Sequence, residues 1–286
     1  MSGQTSLYCV IGDPVDHSMS PIIQNVAFTS ANIDAVYVAF PVRASRLKPT
    51  VTGLRALDIK GFNVTTPHKV AIMKYLDRLD PDAAKIGSVN TVTNKNGILS
   101  GYSTDGIGAV RAVEEVCPLR GRSVVIFGAG GAGRAIANAF APRVGSLHIL
   151  NRTFSKARDL ERRIRKSFQI DVSYGKFTES KIKEIVINAD IVVNASALGM
   201  EGNKQLPVKK EWLSPKQLIF EIVYRPIETQ FLKRAKQVGA RTVTGLDMLV
   251  HQGAYSFELW TGKKAPVGKM RQAVFQHLTA LSYARS

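Results

Sequence analysis

The sequence predicts an α/β protein of two domains, an N-terminal α/β substrate domain followed by a Rossmann-like nucleotide-binding domain, and three observations carry that expectation. Short apolar runs alternate with amphipathic stretches along nearly the whole chain. The β-branched run RSVVIF at 122–127 leads directly into a string of glycines and alanines and then into RAIANAFA, which has helical apolar spacing. A chain of 286 residues with 45% hydrophobic content is long and apolar enough for an ordinary core in each of two domains.

From the N-terminus, LYCVIG reads as a strand over 7–11, then a glycine and proline loop, then a helix beginning at Pro21 with Ser20 as its cap. Ser18 and Ser20 would face that helix N-terminus, where two hydroxyls beside free amides make a seat for a carboxylate or phosphate. AVYVAFPV is a strand, the stretch around 46–56 a helix, and IKGFNV a strand. Pro67 forces the residue before it towards extended geometry, so HKVAIMKYL should open a helix near His68 with Lys69 in its first turn. An ammonium there is disfavoured by the positive end of the helix dipole, which would leave Lys69 ready to exchange a proton.

Asp105 stands before GIGAVRAVEEV, where aspartate suits an N-cap and is held ionised by the helix amides. A linking helix over about 105–117 comes next, and alternation resumes with VVIF, LHIL, IVVNAS, LIFEIVY and ARTVTG in the pattern of a parallel sheet. After Gly245 the chain is helical. The expected domains are 1–104, completed by helices in 246–286, and 105–245.

The nucleotide site can be argued from the residues themselves. Gly128, Ala129, Gly130, Gly131 and Ala132 are small enough to let backbone approach a pyrophosphate at a helix N-terminus. An NAD site would ordinarily place an acid at the end of the next strand. Here that strand ends in Asn151, Arg152 and Thr153 with Lys156 close behind, and a guanidinium pairs with a 2′-phosphate that an acid would repel. NADP is therefore expected over NAD.

Composition excludes several function classes. No apolar run reaches the roughly 18 residues of a membrane span, and MSGQTSLYCV lacks a signal-peptide pattern, so a cytoplasmic protein without membrane attachment is expected. Cys9 and Cys117 are far apart and show no ligand spacing, and the five histidines form no metal motif, so no metal is expected. The formal charge of +17 is spread over many amphipathic helices, which fits solvated faces and steering of anionic ligands better than specific nucleic-acid binding.

Together, GDPVDHSMSPIIQN at 12–25, GFNVTTPHK at 61–69, GSVNT at 87–91 and GYSTDG at 101–106 resemble the substrate half of the shikimate dehydrogenases. GAGGAGRA, NRTFSKA, NASALGM, VYRPIETQFL and GLDMLVHQGAYSFELWTG extend the resemblance over nearly the whole chain. It implies a deep cleft between the two domains, an NADP(H) cofactor, and a reversible reduction of 3-dehydroshikimate to shikimate on the path to aromatic amino acids. Ser18, Ser20, Thr65 and Tyr224 would hold the carboxylate and nearby hydroxyls, while Asn90, Gln252, Lys69 and Asp105 would surround the reacting carbon. Lys69 and Asp105 would be the catalytic pair, and Ile222 and Gly245 would join the cofactor site.

Taken singly, Lys69 reads as a solvated lysine, Asp105 as a cap, Tyr224 as a strand-end aromatic and Gln252 as a polar helix residue. Their combination favours the enzyme. Ser103, Ala197 and Glu221 depart from the family's usual asparagine, proline and aspartate. Two alternatives stay open: a quinate/shikimate dehydrogenase using NAD or both cofactors, and a catalytically silent NADP-binding regulator. A homodimer is compatible with the chain.

Overall fold

A computed structural model describes residues 2–283. The chain forms two compact units, one made of the residues up to Thr104 together with those from Val250 onward, the other of Asp105–Leu249.

The first unit opens with β1 (Ser6–Gly12), α1 (Ser20–Ser30), β2 (Ala35–Pro41), α2 (Leu47–Ala56) and β3 (Gly61–Val64). It continues through β4 (Arg78–Leu79), α3 (Pro81–Ile86), β5 (Thr91–Lys95) and β6 (Ile98–Tyr102). The sheet order is β2-β1-β3-β5-β6-β4. β1 runs parallel to both β2 and β3, while β5 runs antiparallel to β3 and β6. Alternation along β1 explains why it is central: Cys9 and Ile11 pack with Leu47, Val51 and Leu54 of α2, and Tyr8 on the opposite face stacks within 4.8 Å of Phe28 and 5.1 Å of Trp260.

Gly61 leaves room for the Trp260 indole, which a Cβ would strike, and the indole N–H donates to the carbonyl of Val92 at 2.9 Å. The β5–β6 hairpin turns at Asn96 and Gly97, both at positive φ, a conformation that this residue pair adopts readily.

The second unit begins with α4 (Asp105–Glu114), β7 (Ser123–Phe127), α5 (Gly131–Phe140), β8 (Ser146–Leu150) and α6 (Phe154–Ser167). Then come β9 (Asp171–Gly175), α7 (Glu179–Asn188), β10 (Ile191–Asn194), β11 (Leu218–Glu221), α8 (Gln230–Gln237) and β12 (Arg241–Val243). All pairings in the sheet β12-β11-β10-β7-β8-β9 are parallel. Its faces are covered separately. Val124 and Ile126 join Ile136 of α5 and Leu160 of α6, whereas Val125 and Phe127 join Ile182 of α7 and Phe231 of α8. A strand buried on both faces needs the continuous apolar run that β7 has. α9 (Gly245–Thr261) and α10 (Val267–Tyr283) complete the described chain.

Three local expectations are corrected. VAIMKYL forms only a short 3₁₀ turn over Ala71–Tyr75, because the chain must rejoin the sheet at β4, where the Asp77 carboxylate accepts the Leu99 amide at 2.7 Å. Lys69 lies in a turn ahead of it, and five 3₁₀ residues supply no macrodipole of the kind invoked. The α1 helix starts at Ser20, with Met19 as its N-cap; Ser18 Oγ, not Ser20, accepts an amide there, that of Ser20 at 3.2 Å. Asp105 is the first residue of α4, one place inside the cap position expected for it, and the Thr104 amide before it donates to Asn90 Oδ1 at 2.7 Å. An acid in the first turn still complements the helix dipole.

Candidate active site

In the first unit the candidate substrate residues sit where β1, β3 and β5 end or begin. The backbone of Thr65 donates to Ile11 and that of Asp13 to Thr66, at 3.0 and 2.9 Å, so the loops after β1 and β3 are laced together, and the first of them leads to Ser18 and Ser20. The carbonyl of Lys69 accepts the Val89 amide at 2.8 Å, which pins the lysine's backbone next to Asn90. Lys69 and Asp105 are half-buried.

Asn90 is the centre of a buried polar cluster. Its Nδ2 donates to Thr104 Oγ1 at 2.9 Å and to Gln252 Oε1 at 3.4 Å, so two expected site residues meet directly. Behind them stands a layer that the sequence did not single out. Asn63 Nδ2 donates to the Asn90 carbonyl at 3.0 Å, to Thr91 Oγ1 at 3.0 Å and to Ser256 Oγ at 3.2 Å, while Tyr37 donates its hydroxyl hydrogen to Asn63 Oδ1 at 2.6 Å. Burial pushes the Tyr37 hydroxyl well above its ordinary pKa and keeps it a donor. Apart from Tyr37, its members lie in motifs already quoted, Asn63 in GFNVTTPHK, Thr91 in GSVNT, Thr104 in GYSTDG and Ser256 in GLDMLVHQGAYSFELWTG, but nothing in the sequence pairs them, since the partners are distant in the chain. Satisfied networks of this kind fix the rotamers of the groups they touch.

In the second unit the glycine string divides into two kinds of position. Gly128 has φ +117°, and a Cβ on it would stand 2.6 Å from the Ala195 carbonyl, while a Cβ on Gly133 would collide with the Gly128 carbonyl. Those two allow strand, turn and helix to close up. Gly130 and Gly131 have nothing within 4 Å of a would-be Cβ, so backbone amides at the start of α5 face open space. A pyrophosphate fits this cradle.

Asn151 Oδ1 accepts the Ala129 amide at 3.1 Å and its Nδ2 donates to the Thr153 carbonyl at 2.8 Å, tying the end of β8 to the glycine string. Arg152 and Lys156 are exposed, and neither has a side-chain hydrogen bond or ion pair among the described residues. Two uncommitted cations where an NAD site carries an acid suit a ribose phosphate. Ile222 and Gly245 are in close approach, for a Cβ on Gly245 would overlap the Ile222 carbonyl. Tyr224 is half-buried, and burial raises its hydroxyl pKa.

Family models match three stretches: the shikimate dehydrogenase substrate binding domain over residues 10–92, shikimate / quinate 5-dehydrogenase over 111–214, and the shikimate 5'-dehydrogenase C-terminal domain over 245–275. The chain is 45% identical, over 95% of its own length and 98% of the relative's, to shikimate dehydrogenase (NADP(+)) of Bacillus cereus. This chain belongs to the shikimate dehydrogenase family. The enzyme of that name from Pyrococcus furiosus is 44% identical over 97% of this chain and 98% of its own. A shikimate dehydrogenase crystallised in complex with NADP+ superimposes with a TM-score of 0.90 at 40% identity, covering 97% of each chain. The fold expected from the sequence is that of the family, with an N-terminal substrate domain and a Rossmann-like domain. Among the described residues no helix is long and apolar enough to cross a membrane.

Proposed function

We propose that the protein catalyses the reversible, NADPH-dependent reduction of 3-dehydroshikimate to shikimate. The observation that supports this most directly is the buried clasp of Asn90 with Gln252 and Thr104, which fixes polar groups in one place immediately before Asp105 in the chain. Family membership over nearly the full length supplies the reaction class.

In this scheme the substrate carboxylate lies on the hydroxyls of Ser18 and Ser20, with Thr65 and Tyr224 completing its hold. Asn90 and Gln252 orient the ring hydroxyls. Gly128, Ala129, Gly130, Gly131 and Ala132 seat the pyrophosphate, Asn151, Arg152, Thr153 and Lys156 take the adenosine and its 2′-phosphate, and Ile222 and Gly245 flank the nicotinamide. The bound reduced nicotinamide supplies the hydride. Lys69 places its ammonium at the carbonyl oxygen, where negative charge grows in the transition state, and a proton delivered from the Lys69 and Asp105 pair completes the alcohol. Carbonyl, hydride and proton balance the product.

The test is initial-rate reduction of NADP and of NAD with shikimate and with quinate offered separately. Turnover with shikimate and NADP is expected. A preference for quinate or NAD would overturn the specificity, and no turnover with any pair would leave a silent nucleotide-binding protein. The cytoplasm is the proposed location, supported by two free and buried cysteines. A homodimer is the proposed assembly, supported by the edge strand β2, on which Phe40 is 43% exposed; a monomer in sedimentation equilibrium would refute it.

A further inference from the structure

Glu221 closes β11 with its side chain wholly buried, and the groups bonded to its carboxylate are donors. Asn194 Nδ2 donates to Oε1 at 2.9 Å and to Oε2 at 3.0 Å, the Val223 amide to Oε1 at 3.0 Å, and Thr229 Oγ1 to Oε2 at 3.1 Å. These donors belong to three separate stretches. Asn194 ends β10, Val223 lies in the segment leaving β11, and Thr229 caps α8 by accepting the Leu232 amide at 3.3 Å. Asn194 extends the hold, since its Nδ2 also donates to the Leu198 carbonyl at 2.7 Å and its Oδ1 accepts from the Ser196 hydroxyl at 2.7 Å. On its other side the same segment is hemmed in by Gly245 against the Ile222 carbonyl.

A buried carboxylate is expensive unless donors satisfy it, and this one ties the Val223 amide, in the turn that carries Ile222 and Tyr224, to Asn194 at the end of β10 and Thr229 at the start of α8. We propose that Glu221 is a positioning residue, whose carboxylate fixes the turn at Val223 so that Tyr224 meets the ring substrate and Ile222 the nicotinamide. It touches neither ligand itself. The inference rests on the roles given above to Ile222 and Tyr224. Glu221→Gln keeps the shape but sets an amide donor against donors, whereas Glu221→Asp keeps the charge and withdraws it by one methylene.

The experiment uses the full chain and two readouts: hydrogen exchange at the Val223 amide, and steady-state kinetics of Glu221→Gln, Tyr224→Phe and the double variant. Glu221→Gln is expected to speed exchange at Val223 by about tenfold or more and to raise KM for shikimate by about tenfold with a smaller loss in kcat. Adding Tyr224→Phe should cost little more, because both changes remove one contact. Glu221→Asp should recover part of the loss. Unchanged exchange at Val223 overturns the proposal, and so do two substitutions whose effects simply multiply. If Glu221→Gln fails to fold by circular dichroism, Glu221→Asp is judged by the same exchange criterion. Should the wild-type protein turn over no substrate, the functional reading fails on its own, and exchange at Val223 still decides whether Glu221 holds the turn.

Discussion

Asn90 grips Thr104 with both ends of its amide: its Oδ1 accepts the Thr104 amide at 2.7 Å and the Thr104 hydroxyl at 3.2 Å, and its Nδ2 donates to that hydroxyl at 2.9 Å. Both residues are buried, so these bonds cannot be replaced by bulk water. Asn90→Ala would orphan a buried amide and is expected to cost about 1–3 kcal/mol of stability, together with a loss in kcat/KM larger than the folded fraction explains. Denaturant melts and kinetics on one preparation check both, and an unchanged kcat/KM would remove Asn90 from the site.

Lys69 is assigned to charge that grows only in the transition state. Lys69→Ala should lower kcat by roughly two to four orders of magnitude with a much smaller change in KM. A raised KM at normal kcat would make Lys69 a binding residue instead.

Arg152 is exposed and uncommitted, so its removal should leave stability unchanged. Arg152→Ala is expected to raise KM for NADP by about ten- to a hundredfold while altering KM for NAD little, as loss of a charge-assisted pair to phosphate would require. Equal effects on the two cofactors would refute the 2′-phosphate assignment.

The glycine string allows an internal contrast. Gly130→Ala adds a methyl into open space at an extended backbone with φ −78°, so thermal stability should hold while cofactor affinity falls. Gly133→Ala drives its methyl into the Gly128 carbonyl, so stability should fall with it. Thermal melts with and without NADP distinguish the two.

Burial pushes the Glu221 carboxyl up from 4.5 to about 7. The folded state therefore holds its proton more tightly than the unfolded chain does. Its contribution to stability is fully present below about pH 4.5, declines as pH rises through about 7, and is constant above that, a change of order 3 kcal/mol. The difference in unfolding free energy between wild type and Glu221→Gln, followed across this interval, should carry that slope; a flat difference would contradict it.

Much of the second unit was legible because β7, β10 and β11 are short apolar runs, each bounded by polar residues or glycine. β9 escaped because DVSYG is an edge strand with only Val172 and Gly175 buried, which leaves little apolar signal. The β5–β6 hairpin was missed although Asn96-Gly97 announces such a turn. The 3₁₀ turn after Lys69 obeys the sheet and not its own helical spacing, a tertiary override that no window of sequence displays. The hold on Glu221 was invisible for a different reason, since Asn194 is 27 residues away and Thr229 is 8. Motifs expose residues that act on ligands; the residues that hold them in place are scattered.

The fit of the Trp260 indole into the space left by Gly61 has an evolutionary corollary. Neither position can drift by itself, since any larger residue at 61 meets the indole and any smaller one at 260 opens a void and loses the indole's bond to the Val92 carbonyl. Lineages should change both positions or neither, and a library randomised at 61 alone should return glycine from any selection for growth.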